Sequence, residues 1–213
     1  KKEVGMKFLV MPGDGIGPEI VPVAVAALKA LDKKLGLNIA LEEVPIGFAS
    51  LETSGNTFPD EALAKAGESD GVIMGPTDTL AYPPLAEGGR GPSAFMRTGL
   101  DLYANIRPAK TRPGVPSAVD SMDLVFAREN TEGFYADRSM HLGNGEMMVT
   151  EDVAIAVRKI TREASQKIAE AAFKLALQRR KKVTIVTKRN VLKMTDGLFH
   201  DTVREVGKNY PDV

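Results

Sequence analysis

The sequence predicts an α/β fold, and two observations carry that prediction. Short apolar runs at residues 7–11, 71–75 and 183–186 have the length and composition of buried strands. Between them stand longer segments whose apolar residues recur every three or four positions, as on one face of a helix. Strand and helix patterns alternating along one chain are the signature of a layered α/β architecture.

The strand at 7–11 runs into a glycine-rich turn and then a helix over 18–35. Proline at position 18 suits a first helical turn, and Gly36 supplies the stop. Ile20, Ala24, Ala27, Leu28, Leu31 and Leu35 recur at helical spacing and predict a core-facing stripe. Gly13, Gly15 and Gly17 follow the spacing Gly-x-Gly-x-Gly, which misses the dinucleotide fingerprint by one residue, and Glu42 and Glu43 are only loose acidic partners for one. A tight turn is favoured over a pyrophosphate cradle. Acidic residues after Pro59 mark another helix start. The strand at 71–75 then ends at Pro76-Thr77-Asp78-Thr79, placing hydroxyls and a carboxylate at a strand's carboxyl end, where α/β sheets bind ligands. The glycine- and proline-rich loop 81–92 is expected to cover a cleft mouth.

Between residues 137 and 151 the pattern is irregular, and Asn144-Gly145 is a hairpin signal. This stretch reads as a protruding arm, with His141 a surface or interface residue rather than a ligand, since no second histidine or carboxylate pair stands at ligand spacing. A strand is predicted over 153–160 and a helix over 161–180, with Ala164, Ile168, Ala171, Ala172 and Leu175 inward and the basic run Arg179-Arg180-Lys181-Lys182 closing it. The strand at 183–186 ends at Thr187, Lys188 and Asn190. A last helix over 195–206 carries Phe199, Val203 and Val206 on one side and stops at Gly207.

Composition narrows the partners. Lysines plus arginines number 28, as do aspartates plus glutamates, a balance that argues against a general nucleic-acid or membrane-surface binder. Without cysteine there are neither disulfides nor thiolate metal sites. No run is apolar enough to span a bilayer. The expected partner is a small molecule and the expected location cytoplasmic, with a mitochondrial matrix origin left open.

Arg97, Arg107 and Arg128 each end an apolar run, in three separate settings. Singly, each reads as a solvated arginine. Together they have the fork geometry and permanent charge that suit a substrate with two or three carboxylates. The wording around them is specific: Leu100-Asp101-Leu102-Tyr103-Ala104-Asn105-Ile106-Arg107-Pro108, then Arg128-Glu129-Asn130-Thr131-Glu132-Gly133-Phe134-Tyr135. With Pro12-Gly13-Asp14-Gly15-Ile16-Gly17-Pro18-Glu19-Ile20 before it and Thr187-Lys188-Arg189-Asn190-Val191-Leu192 after it, this wording resembles the isocitrate and isopropylmalate dehydrogenase family. Those enzymes are metal-dependent decarboxylating dehydrogenases, and the family includes the homoisocitrate and tartrate enzymes.

The resemblance implies an isocitrate/isopropylmalate dehydrogenase-like α/β/α fold, not a Rossmann fold, truncated at the carboxyl terminus. Residues 1–100 would form part of a first, cofactor-side domain, and 101–213 an incomplete second domain whose arm, about 137–151, interlocks two subunits of a homodimer. It implies NAD or NADP as cofactor with Thr77, Thr79 and Asn190 beside it, and Mg2+ or Mn2+ held by aspartates beyond Val213. The chain as given would then be an inactive piece. The substrate-binding residues would be Arg97, Arg107, Arg128 and Ser93, since Ser93 and Ala94 occupy the positions where isopropylmalate enzymes place two leucines. An isocitrate-like acid is therefore expected first, with homoisocitrate, tartrate or malate, and isopropylmalate behind it.

Hydride transfer from a 2-hydroxy acid needs a base for the hydroxyl proton, and decarboxylation needs an acid for the resulting enolate. Lys188 and Tyr135 match the family's motifs for these roles. Outside that setting Lys188 would read as a solvated lysine and Tyr135 as a half-buried strand aromatic. The alternative function is a noncatalytic regulatory subunit of such a dehydrogenase, against which the retained arginines, tyrosine and lysine argue.

Overall fold

The computed structural model describes residues 5–135 and 145–213 and divides the chain into two compact units, 1–100 and 101–213. The expected arm and His141 lie largely outside the described residues.

The first unit is built on a parallel sheet of three strands, β1 (Lys7–Met11), β2 (Ala40–Glu43) and β3 (Gly71–Met74), in the order β2-β1-β3. Central strands of parallel sheets are covered on both faces, and Leu9, Val10 and Met11 are accordingly all buried. Helices α1 (Gly17–Leu35), α2 (Phe48–Ser54), α3 (Asp60–Gly67) and α4 (Pro92–Gly99) connect and cover the strands. Leu9, Met11, Ile46, Phe58, Ala62, Ala66 and Met96 form the core, so α3 and α4 supply one cover of the sheet.

Helix α1 corrects the predicted stripe. It ends as expected, with Gly36 at φ 65° and its N–H on the Asp32 carbonyl. Its buried side, however, starts at Gly17 and Val21 and continues through the half-buried Val25, Leu28 and Asp32, while Ile20, Leu31 and Leu35 are exposed. The cause is Gly17. A Cβ there would sit 2.1 Å from the Pro12 carbonyl oxygen, so residue 17 faces inward and rotates the helix about a quarter turn from the hydropathic optimum.

The second unit contains the antiparallel ribbon β4 (Ala104–Lys110) and β5 (Asp123–Glu129), the hairpin β6 (Glu146–Thr150) and β7 (Val153–Ala156), and helices α5 (Arg162–Leu177) and α6 (Thr195–Gly207). Thr161 caps α5 by accepting the Ala164 N–H. Helices α5 and α6 pack around Ala169, Phe173, Val203 and Val206, and Phe173 stacks on Tyr210 with centroids 5.1 Å apart. The buried line of α5 runs through Ala164, Ile168, Ala169, Phe173 and Ala176, with Ala171, Ala172 and Leu175 only half-buried.

Three expectations in this unit are corrected. Among the described residues, 183–186 form no strand and join no sheet. The basic run does more than close α5: Arg179 pairs with the Asp123 side chain and Arg180 bonds its carbonyl. Gly207 is the last residue of α6 rather than a left-handed stop. A Cβ there would meet the Phe173 ring at 2.9 Å, so it is close packing that calls for glycine.

Candidate functional site

In the first unit the polar cluster lies at the carboxyl ends of β1 and β3, and Asp14 is its centre. This carboxylate is 7% exposed and accepts the Phe48 N–H at 2.8 Å, the Asp78 N–H at 3.0 Å and the Tyr82 hydroxyl. Three loops are thereby fastened to one side chain. The glycines around it are there for close approach: a Cβ on Gly13 would lie 2.2 Å from the Pro76 carbonyl oxygen, and one on Gly47 would strike the Asp14 carboxylate. The turn reading of the glycine run stands, and its purpose is to pack against the Pro76–Tyr82 loop. Burial, then the hydrogen bond to Asp14, push the Tyr82 phenol well above its ordinary value. That loop carries Thr77, half-buried, and Thr79, exposed. Loop 81–92 is pinned by buried Thr57, which bonds the Gly88 and Arg90 backbones, and by the Arg90–Asp60 ion pair. Ser93 and Arg97 stand one turn apart on α4, on the same side of the helix and both half-buried.

In the second unit Asn105 stands opposite Arg128, and Arg107 opposite Phe126. Period-two alternation then puts Asn105, Arg107, Phe126 and Arg128 on one face of the ribbon. Arg107 Nε donates to Asn105 Oδ1 at 3.0 Å, Asn105 Nδ2 to Asn130 Oδ1 at 3.4 Å, and Asn130 Nδ2 to the Leu102 carbonyl at 3.0 Å. Arg107 and Arg128 are exposed and form no ion pair among the described residues. The ribbon therefore presents two uncompensated guanidiniums on one polar face.

The Arg128–Tyr135 motif is folded by its own carboxylates. Glu129 accepts the Thr131 N–H at 2.7 Å and the Glu132 N–H at 2.9 Å. Glu132 reaches across to Thr161, taking its N–H at 2.8 Å and its hydroxyl at 2.7 Å. Gly133, at φ 78°, then bridges Lys159 through two backbone bonds, 2.9 and 3.0 Å, and Tyr135 follows two residues later, 37% exposed.

Lys188 begins the turn before α6, its carbonyl accepting the Val191 and Leu192 N–H groups at 2.9 Å each, and Asn190 is exposed in that turn. The Lys188 N–H is held by Asp196, which is 2% exposed and also paired with Arg158. Burial disfavours the Asp196 anion, but the Arg158 guanidinium and the Lys188 amide prevail and hold its pKa below the ordinary carboxylate value. Two adjacent residues, Arg158 and Lys159, thus anchor the segments that carry Lys188 and Tyr135.

Asp14, Tyr82, Asn105, Glu129, Glu132, Arg158 and Asp196 were not singled out by sequence reasoning. Asp14 sits inside the glycine motif, where it was visible as a polar residue. Asp196 and Arg158 are 38 positions apart and carry no local signal. Among the described residues no group of three or more His, Cys, Asp or Glu side chains has the arrangement to hold a metal ion, so these residues do not compose a divalent-cation site. No helix is long and apolar enough to cross a membrane.

The chain belongs to the isocitrate/isopropylmalate dehydrogenase family, whose sequence profile matches residues 7–213. It is 39% identical over 208 residues to a 3-isopropylmalate dehydrogenase of Archaeoglobus fulgidus, covering 97% of this chain and 58% of that one. It is 38% identical to an isocitrate/homoisocitrate dehydrogenase of Thermus thermophilus, covering 96% and 57%. The crystal structure of an isocitrate dehydrogenase from Methylococcus capsulatus matches with a TM-score of 0.79 and 36% identity, over 98% of this chain and 58% of that one. The chain thus spans a little over half the length of these relatives.

Proposed function

We propose that this chain supplies the carboxylate-gripping and proton-transferring parts of a NAD- or NADP-dependent dehydrogenase that oxidatively decarboxylates a 2-hydroxy-3-carboxy acid. The observation that carries the proposal is the tie of Tyr135 and Lys188 to neighbouring residues: Gly133 bridges Lys159, and Arg158 reaches Lys188 through Asp196. Lys188 takes the proton of the substrate hydroxyl; NAD or NADP, when bound, would accept the hydride, and the oxidised substrate is a 2-keto acid. Loss of carbon dioxide leaves its electron pair on the neighbouring carbon as an enolate, and the Tyr135 phenol protonates that carbon. Arg107 and Arg128, which share one face of the ribbon, are assigned to the substrate carboxylates, as is Arg97; Thr77, Thr79 and Asn190 are assigned to the cofactor. The described residues do not themselves supply a site for the Mg2+ or Mn2+ that the resemblance implies, and no step is assigned to it.

The substrate preference follows from α4. Ser93 and Ala94 offer a hydroxyl and a methyl where an isopropyl group would want a branched aliphatic wall, so an isocitrate-like acid is favoured, with homoisocitrate, tartrate, malate and isopropylmalate behind it. The relatives include enzymes of both kinds. The partner is a second copy of the chain. The β6–β7 hairpin exposes Met147, Met148, Val149, Val153 and Ile155, and a two-stranded ribbon this apolar needs a cover to be stable.

Partial reactions test the roles. In a chain completed with the carboxyl-terminal part of a family member, Lys188→Met abolishes NADH formation from the hydroxy acid yet still decarboxylates the 2-keto acid supplied directly. Tyr135→Phe shows the reverse ranking. If the lysine variant handles the keto acid worse than the tyrosine variant, the assignment is wrong.

A further inference from the structure

Arg107 is held by an unbroken line of side-chain amides. Its Nε–H donates to Asn105 Oδ1 at 3.0 Å, Asn105 Nδ2 donates to Asn130 Oδ1 at 3.4 Å, and Asn130 Nδ2 donates to the Leu102 carbonyl at 3.0 Å. Asn130 is fastened a second time, its own N–H donating to the Tyr103 carbonyl at 3.0 Å. Every side-chain link donates in the same direction, from the guanidinium toward the backbone, so each bond polarises the next. The amide at 105 can stand only one way round, because its NH2 group in place of the oxygen would face another donor. The two strands do not need this line to stay together, since β4 and β5 are already paired at seven positions.

The place of Asn105 matters as much as its bonds. It lies two residues before Arg107 on the same face and directly opposite Arg128, so it adjoins both cations. A carboxylate there would stand within reach of both guanidiniums and neutralise them. An amide accepts the same hydrogen bond without charge. Engaging Nε also selects an edge of the fork: the Nε side of Arg107 is taken by Asn105, and the edge formed by its two terminal nitrogens is left for a carboxylate.

We propose, on the reading of Arg107 and Arg128 as receivers of the substrate carboxylates, that Asn105 is a positioning residue: backed by Asn130, it sets the plane of the Arg107 guanidinium, leaves the charge of both arginines unspent, and confines a substrate carboxylate to the terminal edge of Arg107. A long side chain held in place before the ligand arrives loses less freedom on binding, which is worth about 2- to 10-fold in affinity.

The measurement is an NMR titration of the 213-residue chain, labelled with 15N at arginine Nε, with isocitrate as the probe. Before ligand is added, the Arg107 Nε–H should exchange with water at least about tenfold more slowly than that of Arg128, which donates to no acceptor of this kind among the described residues. Asn105→Ala should erase the difference and weaken isocitrate binding about 2- to 10-fold, and Asn130→Ala should speed the Arg107 exchange without touching the arginine. Asn105→Asp, the change that keeps the shape, should leave the Nε–H protected yet weaken isocitrate binding about tenfold or more, beyond the alanine variant, because the added charge neutralises the cations. Protection kept while affinity is lost is a split that a merely structural asparagine would not give. Equal exchange at Arg107 and Arg128 in the wild type, or isocitrate binding by Asn105→Asp as tight as by wild type, overturns the proposal and leaves the proposed function standing. A wild type that shows the protected Nε–H but binds no isocitrate up to about 10 mM overturns the proposed function, and the substrate role of Asn105 with it.

Discussion

Replacing Asp196 with alanine should cost the second unit about 3 kcal/mol. Its carboxylate is 2% exposed and takes two hydrogen bonds, one from the Arg158 guanidinium and one from the Lys188 amide. Bonds to a charged group contribute about 1.5–3 kcal/mol each. Arg158, 31% exposed, can recover part of its share from water, whereas the Lys188 amide loses its acceptor. With a urea dependence of about 1–2 kcal/mol per molar, the midpoint for unfolding this unit should fall by roughly 1.5–3 M. The effect has a pH signature. Because the folded-state pKa is depressed below the ordinary 3.8, the stabilisation is whole above that value and disappears as pH falls through the folded pKa. Wild type and Asp196→Asn should therefore differ at neutral pH and converge in acid. Urea titrations at a series of pH values, followed by NMR signals of α6, measure this. A difference under about 0.5 kcal/mol at neutral pH, or one that does not narrow in acid, would refute the reasoning.

Tyr82→Phe should loosen the loop that carries Thr77 and Thr79, read as faster proteolysis between residues 76 and 92, at a cost of about 1–2 kcal/mol. Since the Tyr82 pKa is raised above 10.0, that contribution is whole below about pH 10 and is lost as pH rises further; the variant should lack the last-titrating phenol in an ultraviolet titration. Retention of that late phase would show that Tyr82 is not the phenol on Asp14. Ser93→Leu should move the ratio of kcat/KM values toward isopropylmalate by about 10- to 100-fold in a completed chain. An unchanged ratio would remove Ser93 from the specificity wall.

What could be read from the sequence was local. The strands at 7–11 and 71–74, the Gly36 stop and the inward Phe199, Val203 and Val206 all follow from short-range patterns. The rotation of α1 did not, because it is set by contact of Gly17 with Pro12 rather than by hydropathy. The segment 183–186 had the right residues for a strand, but pairing depends on a neighbour that periodicity cannot supply. The same limit applies to the site. Arg107 and Arg128 were visible as residues, but their common face comes from the register of β4 against β5. The Arg158–Asp196–Lys188 chain joins positions whose own neighbours say nothing of one another.

The most direct test of the account is a titration of the chain, labelled at its arginine Nε atoms, with isocitrate and with isopropylmalate. The account predicts saturable shifts at Arg107 and Arg128 that vanish in Arg107→Met and Arg128→Met, with isocitrate binding about tenfold more tightly. Tighter binding of isopropylmalate, or no movement of either arginine, would contradict it.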